Sequence, residues 1–81
     1  MDRTEKYTLE KMGKLAKEFG EIYFKYEFCG IDNSHYIVVL SKEIYDRGDF
    51  VKMTWDINEE AYNYGITNFG IALGTNAERI D

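Results

Sequence analysis

Apolar residues recur at spacings of three and four from Leu9 to Phe19, then at every second position from Ile22 to Phe28. The first spacing draws Leu9, Met12, Leu15, Ala16 and Phe19 into one stripe and predicts an amphipathic helix. Lys11, Lys14, Lys17 and Glu18 fall outside that stripe, toward solvent. Thr8 is placed to cap this helix, which is expected to run to about Lys17. Gly20 is placed to end it in a left-handed conformation. Gly13 costs about 1 kcal/mol relative to alanine in a helix interior, a cost that close approach to a sheet would offset. The charged residues 1–6 are expected to fray.

The second spacing predicts a strand over Glu21–Cys29. Ile22, Phe24, Tyr26 and Phe28 share one face; Glu21, Tyr23, Lys25 and Glu27 share the other. A second strand follows over His35–Leu40, apolar on both faces and therefore suited to the centre of a sheet. The turn-forming segment Gly30–Ser34 between them completes a β-hairpin signature. Its register stays open: a four-residue loop pairs Phe28 with His35, and a five-residue loop pairs Cys29 with His35. One slip exchanges the two faces.

Beyond the hairpin, Ser41 is placed to cap a short helical turn carrying Ile44 and Tyr45, and Asp46–Asp49 reads as a turn. Phe50–Trp55 alternates as a third strand. Asp56 with Glu59 resembles a capping box for a second helix ending at Gly65. Ile66–Leu73 reads as a fourth strand, where Gly70 suggests a bulge or the close approach of another backbone. Residues 75–81 form a polar tail expected to be flexible. The expected fold is α+β: a four-stranded, mainly antiparallel sheet with two helices on one face, in the order α-β-β-β-α-β.

The chain's 81 residues suffice for one domain. Its core must come largely from rings, since it holds seven Tyr, five Phe and one Trp but a single cysteine. A lone cysteine and no apolar leader suit a soluble, cytoplasmic protein. The net charge of −5 disfavours direct nucleic-acid binding. The acidic excess lies in residues 41–60, where three Lys/Arg face six Asp/Glu.

Candidate chemistry is sparse. Cys29 and His35 flank the hairpin loop, where a thiol beside an imidazole is a nucleophilic pair and Asp32 a candidate orienting group. With one histidine in the chain, no two-histidine metal site exists, and no metal or cofactor is expected. The acidic residues around Asp46 and Asp49 do not match a calcium loop. Arg47-Gly48-Asp49 spells a cell-adhesion tripeptide but reads here as a turn. The glycines of Gly65–Thr75 lack the Gly-Lys-Ser/Thr of a phosphate-binding loop.

The residues best suited to a partner are tyrosines and acids. Tyr23 on the polar strand face, Tyr45 and Tyr62 are the candidate contact rings, and Asp46, Asp49, Glu59 and Glu60 the candidate charges. The expected function is a non-enzymatic protein-binding module: an adaptor, inhibitor or accessory subunit of bacterial or phage type. The open sheet face makes a homodimer the simplest version. The alternatives are an acidic antagonist that mimics nucleic acid, and a small Cys/His enzyme.

Overall fold

The computed structural model describes residues 2–80. Its first helix, α1, spans Arg3–Phe19 and is capped by Asp2, whose side chain accepts from the Thr4 backbone N–H at 2.7 Å. The start lies at Arg3 rather than Thr8 because Asp2 satisfies an otherwise orphaned donor. Thr8 is interior and fully buried, its hydroxyl donating to the Thr4 carbonyl. The flexibility expected of 1–6 and 75–81 includes Met1 and Asp81, which lie outside the described residues.

Gly20 closes the helix with φ 118° and a backbone N–H donated to the Ala16 carbonyl. A Cβ here would stand 2.9 Å from the Tyr23 ring. A 3-10 turn over Glu21–Tyr23 follows, and β1 begins only at Phe24, ending at Cys29. Gly13 faces open space: beyond its own helix backbone and chain neighbours, no atom of the described residues lies within 4 Å of where a Cβ would stand. The expected close approach to the sheet is therefore absent, and the glycine carries its entropic cost without compensation. Gly13→Ala should stabilise the protein by about 1 kcal/mol, seen as a raised urea midpoint at unchanged slope.

β2 spans Ser34–Val39 and pairs antiparallel with β1. Phe28 opposes His35 and Cys29 opposes Ser34, so Gly30–Asn33 is the loop and the four-residue register is the one formed. Asn33 supplies the positive φ of 57° that closes it. A short helix α2, Lys42–Tyr45, follows with Ser41 as its cap, as its sequence predicts.

The next segment departs most from expectation. Gly48–Asn63 is one helix, α3, where a third strand and a separate second helix were expected. Phe50, Ile57 and Ala61 are its buried residues, and they fall within about 40° of one another at the helical repeat. Asp56 is interior and caps nothing. The true start is stabilised by Asp49, whose Oδ1 accepts from the Phe50 backbone N–H at 2.9 Å.

The last strand, β3, is Phe69–Leu73. It lies parallel to β2, giving a three-stranded mixed sheet in the order β1-β2-β3. The four-stranded antiparallel arrangement is thus corrected. With α2 and α3 forming the connection, the chain returns to the end where β2 began, and such a crossover produces parallel pairing. β2 is central, in keeping with its two apolar faces. Gly70 opposes Tyr36 in unbroken register, so there is no bulge. The close approach at Gly70 comes from the Tyr36 ring, 2.8 Å from where a Cβ would stand, and not from a backbone.

The core forms between one sheet face and the helices. Phe24, Ile37 and Val39 from the sheet meet Tyr7 and Leu15 of α1, Ile44 of α2, and Phe50, Ile57 and Ala61 of α3. The C-terminal segment crosses the end of the sheet: Gly74 N–H donates to Val39, Ile80 N–H to Leu40, and Glu78 pairs with Lys25 at 2.8 Å. Tyr7 is the buried ring with a polar end. Its hydroxyl donates to the Ile57 carbonyl at 2.8 Å, and burial, followed by the neighbouring Glu60, holds its phenol far above the ordinary 10.0. An unfolded chain releases that proton near pH 10 while the folded chain keeps it. Stability should therefore fall as pH rises above 10, and Tyr7→Phe should flatten this fall in alkaline urea titrations.

Candidate functional site

Along α3 a second apolar stripe runs beside the buried one, and it faces outward. Val51, Trp55 and Tyr62 lie within about 40° of one another around the axis. They are 37%, 73% and 80% exposed respectively. The third side of the helix carries Lys52, Asp56 and Glu59, all exposed. Beside Trp55, a shallow groove of about 250 Å³ separates α3 from β3, with Tyr45, Val51, Trp55 and Ile71 among its walls. β3 lies at one edge of the sheet.

The predicted contact tyrosines are dispersed. Tyr62 is on the outer stripe of α3. Tyr45 is half-buried, its ring 6.1 Å from that of Phe50, and it also borders the groove. Tyr23 is not on a strand face. It sits in the 3-10 turn, half-buried against the core, because the positive φ of Gly20 turns the chain before β1 begins. Ile22, expected to share a strand face with Phe24, is exposed while Phe24 is buried, for the same reason. The sequence groups Trp55 with the tyrosines as a ring suited to interfaces but does not single it out as a contact, and a strand over Phe50–Trp55 puts Val51, Met53 and Trp55 on one face without marking that face as a surface.

Three of the four predicted acids meet cations of the same chain. Asp46 lies 2.5 Å from Lys42, Asp49 2.8 Å from Arg47, and Glu60 2.7 Å from Lys11. Arg47 holds the Asp49 carboxyl below its ordinary range, and Lys11, followed by Tyr7, does the same for Glu60. The exposed pairs at Asp46 and Asp49 contribute little to stability, while Lys11 in the third is mostly buried, and all three reduce the negative field offered to a basic partner. Glu59 is exposed on the outer side of α3.

Cys29 and His35 are not brought together. Phe28 is the residue opposite His35, which places Cys29 on the other sheet face. The thiol lies by Asp32, whose carboxyl is held low by hydrogen bonds from Ser34 first and then Cys29. The imidazole turns toward the helices and is bonded through Nδ1 to the Tyr26 hydroxyl at 2.6 Å. Around it Asn68 acts as a clamp, invisible in the sequence pattern. Asn68 accepts from the Thr4 hydroxyl at 2.7 Å and donates to the Asn33 carbonyl at 2.8 Å, while its own backbone carbonyl receives the His35 backbone N–H. It ties the start of α1, the hairpin loop and β3 together.

Among the described residues, no group of three or more His, Cys, Asp or Glu is placed to hold a metal ion, and no helix is long and apolar enough to cross a membrane. No family model, curated protein or solved structure matches the chain.

Proposed function

We propose that this chain is a non-enzymatic protein-binding module that contacts its partner through the outer stripe of α3. The observation that carries this reading is Trp55, 73% exposed on a regular helix, flanked by Val51 and bordering the groove toward Ile71. Tryptophan and tyrosine are the residues most enriched at the energetic centres of interfaces. An exposed indole on a rigid element offers a large contact area at little conformational cost. The stripe also fits an i, i+4, i+11 pattern, so a groove or a second helix could meet all three side chains at once.

A second copy of the chain is the simplest partner for such a surface, because one apolar stripe is complementary to its twin across a two-fold axis. The test is affinity capture from native lysate with the wild-type chain and with Trp55→Ala, together with light scattering over a range of concentrations. The expected result is a captured protein, or a concentration-dependent dimer, that Trp55→Ala removes. A Trp55→Ala chain that retains the same partner and the same mass would overturn this surface.

A further inference from the structure

A pocket of about 310 Å³ opens between the start of α1 and the hairpin, lined by Asp2, Glu5, Tyr26, Phe28, Asn33 and His35. It shares no lining residue with the groove beside Trp55, so a ligand here is independent of the role given to α3.

One wall of the pocket is the His35 ring, which carries a buried polar atom without a partner among the described residues. The His35 side chain is 4% exposed, and its Nε2 makes no hydrogen bond among the described residues. Leaving such a group unsatisfied is unfavourable, because its lost hydration is not replaced. Its nearest acid, Asp2 Oδ1, stands 4.0 Å away, beyond direct bonding.

The pocket is also one-signed. Asp2 and Glu5 line it, and none of the described lining residues is lysine or arginine. Their charge reaches inward: the Tyr26 phenol is raised, by burial first and then by Glu5 and Asp2.

Finally, the pocket offers an aromatic wall. The Phe28 ring lies 4.9 Å from the His35 ring and is 49% exposed, so a π-face is open to an incoming group.

We propose that this pocket binds a guanidinium group, as carried by an arginine side chain. The three features ask for one ligand: a planar cation with several N–H donors. Its charge answers Asp2 and Glu5 and its plane stacks on Phe28; as the Asp2 side chain, 4.0 Å from the buried His35 Nε2, is drawn to the cation, one N–H reaches that nitrogen. The Tyr26–His35 bond allows this. With the imidazole proton on Nδ1 and donated to the Tyr26 oxygen, Nε2 presents a lone pair to the ligand. An ammonium fits less well, being a strongly hydrated point charge that cannot stack. A metal ion is disfavoured, since the surrounding acids and imidazole are not grouped to hold one.

The chain's single histidine makes the test direct, because its imidazole proton resonances can only belong to His35. N-acetyl-arginine amide is titrated into the full chain and those resonances are followed. A saturable shift is expected, and N-acetyl-citrulline amide, of the same shape without charge, should produce none. Asp2→Asn keeps the helix cap and removes one charge; Glu5→Gln removes the other. Each should weaken binding by about tenfold or more, with circular dichroism unchanged. An equal response to citrulline amide, or no saturable response through millimolar arginine amide, would overturn the site. An equal response to N-acetyl-lysine amide would overturn its assignment to guanidinium.

Discussion

Phe50→Ala should cost about 3–5 kcal/mol of folding stability, the usual range for emptying a buried aromatic position. Phe50 is 1% exposed and sits where three elements converge. Its ring lies 5.4 Å from Phe19 of α1, 6.1 Å from Phe24 of β1 and 6.1 Å from Tyr45. Truncation therefore removes contacts to both other helices and the sheet, and no single neighbour can relax into the space. Domains have total stabilities of roughly 5–15 kcal/mol, and short chains lie toward the lower end. The variant should be mostly unfolded at moderate temperature, with its urea midpoint reduced by half or more. Phe50→Leu, which refills much of the volume, should lose far less. The pair also decides the secondary structure of this segment. A strand over Phe50–Trp55 would bury Val51 and Trp55 together and turn Phe50 away from them. A Phe50→Ala loss below about 1 kcal/mol, within reach of an ordinary surface change, would contradict the helical assignment.

Trp55→Ala should do the opposite: leave folding within about 0.5 kcal/mol and abolish partner binding. The indole is 73% exposed, so truncation opens little cavity, and alanine is the better helix former. At a protein interface, loss of an anchoring tryptophan typically costs about 2 kcal/mol or more, which is about a thirtyfold weakening. Because the chain has one tryptophan, its fluorescence reports on the surface itself. Binding should shift the emission to the blue as water leaves the ring. Val51→Ala and Tyr62→Ala should weaken binding by smaller factors, and added salt should change it little, since the stripe carries no charge. Binding that collapses as salt rises and ignores Trp55→Ala would point instead to the acidic residues, with Glu59 foremost.

The two variants also mark where the sequence is readable. α1 is legible over most of its length because its apolar stripe repeats across several turns. The hairpin is legible because both strands are rich in β-branched and aromatic residues around a turn. The segment Phe50–Trp55 is different. Over six residues, alternation and helical spacing can both be drawn through the same apolar positions, and Asp56 with Glu59 imitates a helix start. Only the longer span from Phe50 through Ile57 to Ala61 separates the two periods. Tyr23 is misread for a related reason: the pattern gives the period but not the point at which the 3-10 turn yields to strand. The His35 pocket has no local signature at all. It combines the N-terminus of α1 with both strands of the hairpin, and Asn68 from far along the chain holds them in place.

By itself, the order of residues determined the first helix and the β-hairpin, because these rest on contacts between near neighbours and on the turning capacity of Gly20 and Asn33, and the two apolar faces of His35–Leu40 marked β2 as central. Tertiary packing decided the rest. The core chose which face of α3 to bury, and that choice put Phe50 inside and Trp55 in water. The crossover through α2 and α3 made β3 parallel, and the fixed hairpin register turned His35 toward Asp2 and Glu5. Each of these outcomes follows from burying apolar area between segments distant in the chain, a quantity that no local window contains.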